Sequence, residues 1–137
     1  MSDMNFSQYR AALVELGADL DNSAKRVVSQ MADVGLKVTK KNTPTNQDPH
    51  IVGGTLKKGW HKGQTLKVGN GYESSYANNV YYGLYVNNGH RIVNKSGETT
   101  GYVQGKRMLE QGIDEAKRQS DTIFNNEIQR VKNKGGW

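Results

Sequence analysis

A stripe of apolar residues near the N-terminus constrains the fold of this chain more than any other feature. Its members are separated by steps of three or four residues: Phe6, Tyr9, Leu13, Leu16, Leu20, Ala24, Val27, Met31, Val34 and Val38. These steps keep the side chains on one narrow face, so the stripe predicts a single long N-terminal helix. Asn5 or Ser7 can cap its start. The helix should end before Pro44, because proline disfavours the helical conformation in the preceding residue.

The same stripe restricts what the helix packs against. The charges beside it do not follow the regular e and g positions of a coiled coil, so packing on a sheet is favoured over a coiled-coil contact. Gly17 and the polar run of Asp19, Asp21 and Asn22 mark a point at which the helix can bend or divide.

Short segments bounded by turn residues follow the helix. The predicted strands are 59–62, 65–68, 72–80 and 99–103. The Gly-Asn-Gly sequence at 69–71 is a strong turn signal. Residues 82–88 fit either a strand or a short helical turn, and the Asn-Asn-Gly sequence at 87–89 ends them.

A second helix is predicted over 106–132. Its apolar face comprises Leu109, Ile113, Ala116, Phe124, Ile128 and Val131, with Ser120 as a weak point. The sequence therefore predicts an α+β fold: a long N-terminal helix, a small antiparallel sheet of three or four strands, and a C-terminal helix. One domain covers 1–137, with a flexible loop at about 42–54, which holds both prolines, and a loose tail at 133–137.

Positive charge is concentrated in the middle of the chain. Residues 37–67 carry seven basic residues and one acidic residue, so they account for the whole net charge of +6. Such a run is usually a solvated, flexible basic loop. The alternative is a surface that contacts DNA or an acidic partner. The candidate contacts are Lys40, Lys41, Lys57, Lys58 and Lys62.

The composition excludes several classes of protein. The chain has no cysteine, which rules out disulfides and thiolate metal sites. No apolar run approaches the ~20 residues that a membrane-spanning helix needs, so no membrane partner is expected. The start of the chain also lacks the pattern of a signal peptide.

No set of residues indicates catalysis. His50, His61 and His90 lack the spacing of metal ligands, and Ser74 and Ser75 lack a motif that would activate a nucleophile. A small nuclease or toxin built around His90 would need charged partners that the nearby sequence does not supply. We therefore expect no enzymatic activity, no metal and no cofactor.

The region around residue 85 is dense in tyrosine. Four of the seven tyrosines lie between Tyr76 and Tyr85. Tyrosine is enriched at protein interfaces, so the predicted interface residues are Tyr81, Tyr82, Tyr85, His90 and Arg91. A small basic nucleic-acid-binding protein is the alternative, although no base-reading motif accompanies these residues.

Five short motifs occur in a characteristic order. They are KNTP at 41–44, GTLKKGW at 54–60, ANNVYYGLYV at 77–86, NGHR at 88–91 and GYVQGKRML at 101–109. In this order the chain resembles the tail-completion, or head–tail joining, proteins of long-tailed bacteriophages and prophages. It departs from them in two places: a longer segment at 45–54 replaces the family's Asp-Thr-Gly loop, and Asn87 stands where the family has glutamate.

The resemblance implies a structural virion protein at the head–tail junction, assembled in the cytoplasm of the bacterial host. It implies a ring of copies of the chain, commonly six, between a head connector or stopper protein and a tail terminator or tail-tube protein. Within such a ring the tyrosine-rich residues would lie near a subunit or neck contact. The basic residues would face a partner or, without sequence preference, the packaged DNA.

Overall fold

The computed structural model describes residues 5–45 and 54–136. Its elements follow in the order α1 (Phe6–Asn42), α2 (Thr55–Lys58), β1 (Trp60–Lys62), β2 (Leu66–Val68), β3 (Gly71–Glu73), β4 (Tyr76–Asn78), α3 (Gly83–Asn88), β5 (Gly89–Val93), β6 (Thr99–Gln104) and α4 (Met108–Gly135). The α+β class is confirmed. Most of the predicted loop at 42–54 lies outside the described residues, whereas most of the predicted tail is helical, since α4 continues to Gly135. No helix in the described ranges is long and apolar enough to cross a membrane.

The long N-terminal helix is confirmed, and it runs through Gly17 without interruption. Asn5 is the residue that caps it: its side-chain oxygen accepts the Gln8 N–H at 2.9 Å, and the Gln8 side chain accepts the Asn5 N–H at 3.1 Å. This reciprocal pair satisfies two backbone donors that the first turn leaves free. The helix ends at Asn42, two residues before Pro44, as the rule for residues that precede proline requires.

The main partner of α1 is the helix α4, not a sheet. The two helices are antiparallel, with Asn42 hydrogen-bonded to Gln111 at one end (2.7 Å) and Lys134 paired with Asp19 at the other (2.8 Å). The strands β1, β3 and β4 contact α1 less extensively. The prediction that the stripe packs on a sheet is therefore corrected, because one of its flanks is covered by the second helix.

The strands form three separate antiparallel pairs, β1–β4, β2–β3 and β5–β6, and not one sheet of three or four strands. The turn at 69–71 joins β2 to β3 as predicted. The predicted strand 72–80 is divided between β3 and β4, because Ser74 and Ser75 lead the chain away from β2 to pair with β1. Residues 82–88 prove helical, as α3.

The core is small and sits where α2, β1 and the start of α4 meet. Leu56, Trp60 and Met108 are buried there, and partly buried apolar residues surround them: Leu36, Tyr76, Val80, Tyr82, Val86 and Leu109. The inner face of α4 keeps Ala116 and Val131 of the predicted face but is otherwise shifted by one residue toward the N-terminus, with Met108 fully buried in place of Leu109. That inner face comprises Met108, Gly112, Ala116, Ile123, Glu127 and Val131, whereas Ile113 and Phe124 are 40% and 54% exposed.

A chain of hydrogen bonds runs through this core. The Trp60 indole N–H donates to Thr43 Oγ1 at 2.8 Å, and Thr43 Oγ1 donates to the Thr39 carbonyl at 2.7 Å. Thr39 Oγ1 then donates to the Tyr76 hydroxyl at 3.0 Å, and that hydroxyl donates to the Leu109 carbonyl at 3.4 Å. The chain joins α1, β1, β4 and α4, so these polar groups are buried with partners, as burial requires.

Candidate functional site

The tyrosine-rich segment forms one wall of an open groove of about 680 Å³. This tyrosine groove is lined by Pro44, Tyr82, Tyr85, Val86, His90, Arg91, Val93, Val103, Gln104 and Lys106. Most of its surface is apolar, and its volume lies in the range of protein binding clefts. Four of the five predicted interface residues therefore share one surface.

The glycine at position 89 makes the groove possible. Gly89 ends α3 and starts β5. Its φ is +85°, a backbone conformation that residues with a side chain rarely adopt. A Cβ at this position would lie 2.5 Å from the Val103 carbonyl oxygen and 2.7 Å from the Gly105 nitrogen. Only glycine thus allows β5 to approach β6 closely, and this approach sets His90 beside Tyr85.

The tyrosines in this segment differ in exposure. Tyr82 is partly buried and packs against the core, whereas Tyr81 is 85% exposed and stacks edge-on against Tyr82 with ring centroids 5.3 Å apart. Tyr85 is 55% exposed, and its ring meets the His90 ring edge-on at 6.3 Å. Tyr81 and Tyr85 therefore present aromatic surface to solvent, while Tyr82 anchors the segment.

The polar rim of the groove is positive. Arg91 and Lys106 are exposed, and neither forms an ion pair within the described part of the chain. His90 is exposed too, with its Nδ1 3.1 Å from the Arg91 carbonyl oxygen. An apolar groove with a positively charged rim is a surface at which a partner can bind.

Asn87 fixes the groove to the rest of the protein, a role that the sequence did not reveal. Its side chain is buried, accepts the Leu109 N–H at 3.0 Å and donates to Glu110 Oε1 at 3.0 Å. Its carbonyl accepts the Arg107 N–H at 3.0 Å. Asn87 thereby caps α4, whose own cap residue, Arg107, makes no side-chain cap bond. The signal available in the sequence was the amide at position 87, noted above as a departure from the motif that the chain resembles, because an amide can donate to Glu110 and a carboxylate cannot.

The predicted basic contacts do not lie on one loop. Lys40 and Lys41 belong to the last turn of α1, and Lys57 and Lys58 to α2. Lys62 lies on β1, and its Nζ contacts Asp33 Oδ1 at 2.9 Å and Ser29 Oγ at 2.6 Å. That lysine therefore forms an ion pair with α1. Of the five lysines, Lys40, Lys41 and Lys58 are exposed, whereas the other two are half-buried.

Within 5–45 and 54–136, no three histidine, aspartate or glutamate side chains are grouped so that they could hold a metal ion. His50 lies outside these ranges.

Comparison with known proteins decides the family. Residues 7–89, more than half of the chain, match the family described as "Bacteriophage HK97-gp10, putative tail-component". The chain belongs to the HK97-gp10-like family. It is therefore a structural component of a phage tail, which confirms the resemblance at the level of the family. The match extends from α1 to Gly89, so it includes Tyr81, Tyr82 and Tyr85 and stops just before His90. No curated protein and no solved structure matches the chain.

Proposed function

We propose that this chain completes the phage tail and joins it to the head, acting without catalysis as a ring at the neck of the virion. The observation that supports this most is the tyrosine groove, an exposed apolar surface to which the motifs at 77–91 contribute half of the lining residues. Exposed apolar surfaces of this kind mark contacts with other proteins. Interface energy also concentrates in tyrosine and arginine, which the groove supplies.

The thin core supports an assembly role. Its central apolar cluster has three buried members, Leu56, Trp60 and Met108. Large apolar side chains such as Tyr85, Val93 and Val103 are exposed. The proposed partners are further copies of the chain in a ring, commonly of six, with a head connector or stopper protein on one side. A tail terminator or tail-tube protein is the proposed partner on the other.

Replacing Arg91 by alanine should prevent the joining of heads to tails without unfolding the protein. Arg91 is exposed and unpaired in the described structure, so its loss should change the free energy of unfolding by no more than roughly 0.5 kcal/mol. At an interface hot spot the same truncation removes about 2 kcal/mol or more of binding energy. The measurements are a thermal melt of the purified variant and a count of infectious particles after complementation of a phage that lacks the gene.

Lys132→Ala is the matched control, because Lys132 is an exposed cation on α4 with no ion pair among the described residues. It should complement fully. Electron microscopy of the Arg91→Ala lysate should show separate heads and tails. An Arg91→Ala protein that melts early, or one that complements as well as Lys132→Ala, would contradict the proposal.

Contact with DNA is a second candidate function, favoured by the adjacent exposed cations Lys40 and Lys41. If only two or three lysines reach phosphates, the logarithm of the affinity for duplex DNA should fall with the logarithm of salt concentration with a slope of about −2 to −3. Binding near physiological salt should then be weak. A gel-shift series in increasing salt, with the Lys40→Ala/Lys41→Ala protein as control, measures the slope. Tight binding with a much steeper slope would favour a nucleic-acid-binding protein over a tail-completion protein.

A further inference from the structure

The positively charged residues at the rim of the tyrosine groove favour a negatively charged partner. Arg91, Lys106 and His90 border the groove, and none of its described lining residues is acidic. Complementary electrostatic potentials across an interface determine which partner binds and in which register. This positively charged surface therefore fits an apolar segment that carries carboxylates.

One surface of the same chain has this chemistry, and we call it the outer face of α4: Ile113, Asp114, Asp121 and Phe124. Ile113 and Phe124 are large apolar residues three helical turns apart on one side of α4, 40% and 54% exposed. Ile113 borders the cleft between α4 and α1, where Val28 and Met31 also lie. Asp114 and Asp121 are exposed beside them and form no ion pair within the described part of the chain. Lys117 lies between the two aspartates, so the face carries more negative than positive charge.

We propose that the outer face of α4 of one subunit docks into the tyrosine groove of the next. The inference rests on the ring proposed above and names the contact that closes it. Groove and helix face are different surfaces of one subunit, so their contact is head-to-tail, and such contacts close into rings when the rotation allows. Helices bind grooves through apolar residues that share one side of the helix, as Ile113 and Phe124 do three turns apart. Asp121 and Asp114 then face Arg91 and Lys106.

A charge-reversal experiment tests this contact. Arg91→Asp and Asp121→Arg each place like charges across the proposed interface, which should lower the yield of infectious particles in complementation roughly 100-fold. The double variant restores opposite charges and should recover to within about tenfold of the unchanged protein. Glu98→Arg, an exposed charge reversal in the β5–β6 turn, is the matched control and should keep full yield. All four variants should have the melting temperature of the unchanged protein, because the side chains of Arg91, Asp121 and Glu98 are exposed.

The outcomes separate this inference from the proposed function. If Arg91→Asp abolishes infectivity while Asp121→Arg does not, the groove still serves assembly but its occupant is not α4, and the inference is overturned. The same holds if both single variants fail and the double variant shows no recovery. If neither single variant lowers the yield, the inference and the proposed function fall together.

Cysteine cross-linking gives an independent readout, since the natural chain contains no cysteine. Val103→Cys in the groove and Phe124→Cys on α4 should form a ladder of disulfide-linked subunits in purified particles only when both changes are present. A Val103→Cys protein that links to itself would indicate a two-fold contact between grooves. One that links to another virion protein would assign the groove to that protein, and either result overturns the inference.

Discussion

Gly112→Ala should lower the free energy of unfolding by about 3 kcal/mol, although alanine normally stabilises a helix relative to glycine. Gly112 lies where α4 packs directly against α1. A Cβ at this position would overlap Thr39 Oγ1 and lie 2.5 Å from the Gly35 carbonyl and 2.8 Å from the Tyr76 hydroxyl. Relief of this overlap requires either separation of the helices or loss of the partly buried hydrogen bond from Thr39 to Tyr76.

Urea denaturation of the variant and the unchanged protein measures the difference. Gly17→Ala is the matched control, because Gly17 also lies in a helix but a Cβ there would meet no atom within 4 Å. This control should gain about 0.5–1 kcal/mol, the usual advantage of alanine over glycine in a helix. A Gly112→Ala protein as stable as the unchanged chain would show that α1 and α4 are not packed at this distance.

Glu127→Ala should cost about 2–3 kcal/mol near neutral pH. The carboxylate is buried between α1 and α4, where Arg26 Nε donates to Oε1 at 2.9 Å and Arg130 Nε donates to Oε2 at 3.0 Å. Gln30 Nε2 and the Ser23 hydroxyl donate to it as well. Removing the acceptor leaves these donors without a partner. The cost stays below that of a fully buried pair, because the arginine side chains are 54% and 39% exposed and regain water.

The stabilisation by Glu127 should depend on pH. Burial alone would raise the pKa of this carboxyl, but hydrogen bonds from Arg26, Arg130 and Gln30 outweigh it and hold the pKa below the ordinary value. Because the pKa is lower in the folded state, the ionised carboxylate stabilises the fold at pH values above its ordinary pKa of about 4.5. This contribution to the free energy of unfolding is lost as the pH falls through the lowered pKa. The difference in stability between the unchanged protein and Glu127→Gln should therefore shrink on acidification.

Denaturation at a series of pH values measures that difference. Glu115→Gln is the control on the same helix: Glu115 pairs with Arg118 one turn away, a surface pair that contributes little. If Glu127→Gln were as stable as the unchanged protein at every pH, the ion pairs between α1 and α4 would not contribute to the fold.

The features of the fold that depend on residues close together in the sequence could be predicted from the sequence. The spacing of apolar residues gave α1 its length, and Asn5 and Pro44 marked its ends to within two residues. The Gly-Asn-Gly turn placed β2 beside β3. These elements were predictable because helical period, capping and turn conformation act within a few residues of the chain.

The inner face of α4 was not predictable in this way. Two stripes at helical spacing overlap on this helix, shifted by one residue, and the apolar content favoured the one with Ile113 and Phe124. The structure uses the other, with Gly112 and Glu127. A glycine that allows close contact and a glutamate paired with Arg26 contribute nothing to an apolar pattern, yet both are buried because of what α1 places opposite them.

The same distinction between local and tertiary information applies to the candidate site. The sequence by itself determined which residue types gather between 81 and 91, because tyrosine density and an Asn-Gly turn are local properties, and through its motifs it determined the phage-tail family. Only the tertiary structure decided that Tyr82, Tyr85, His90 and Arg91 share a groove with Pro44, Val103 and Lys106, and that Lys62 is bound to Asp33. Those neighbours are brought together by the pairing of β5 with β6 and by the Asn87 cap on α4, contacts between residues whose distance along the chain leaves no local pattern to read.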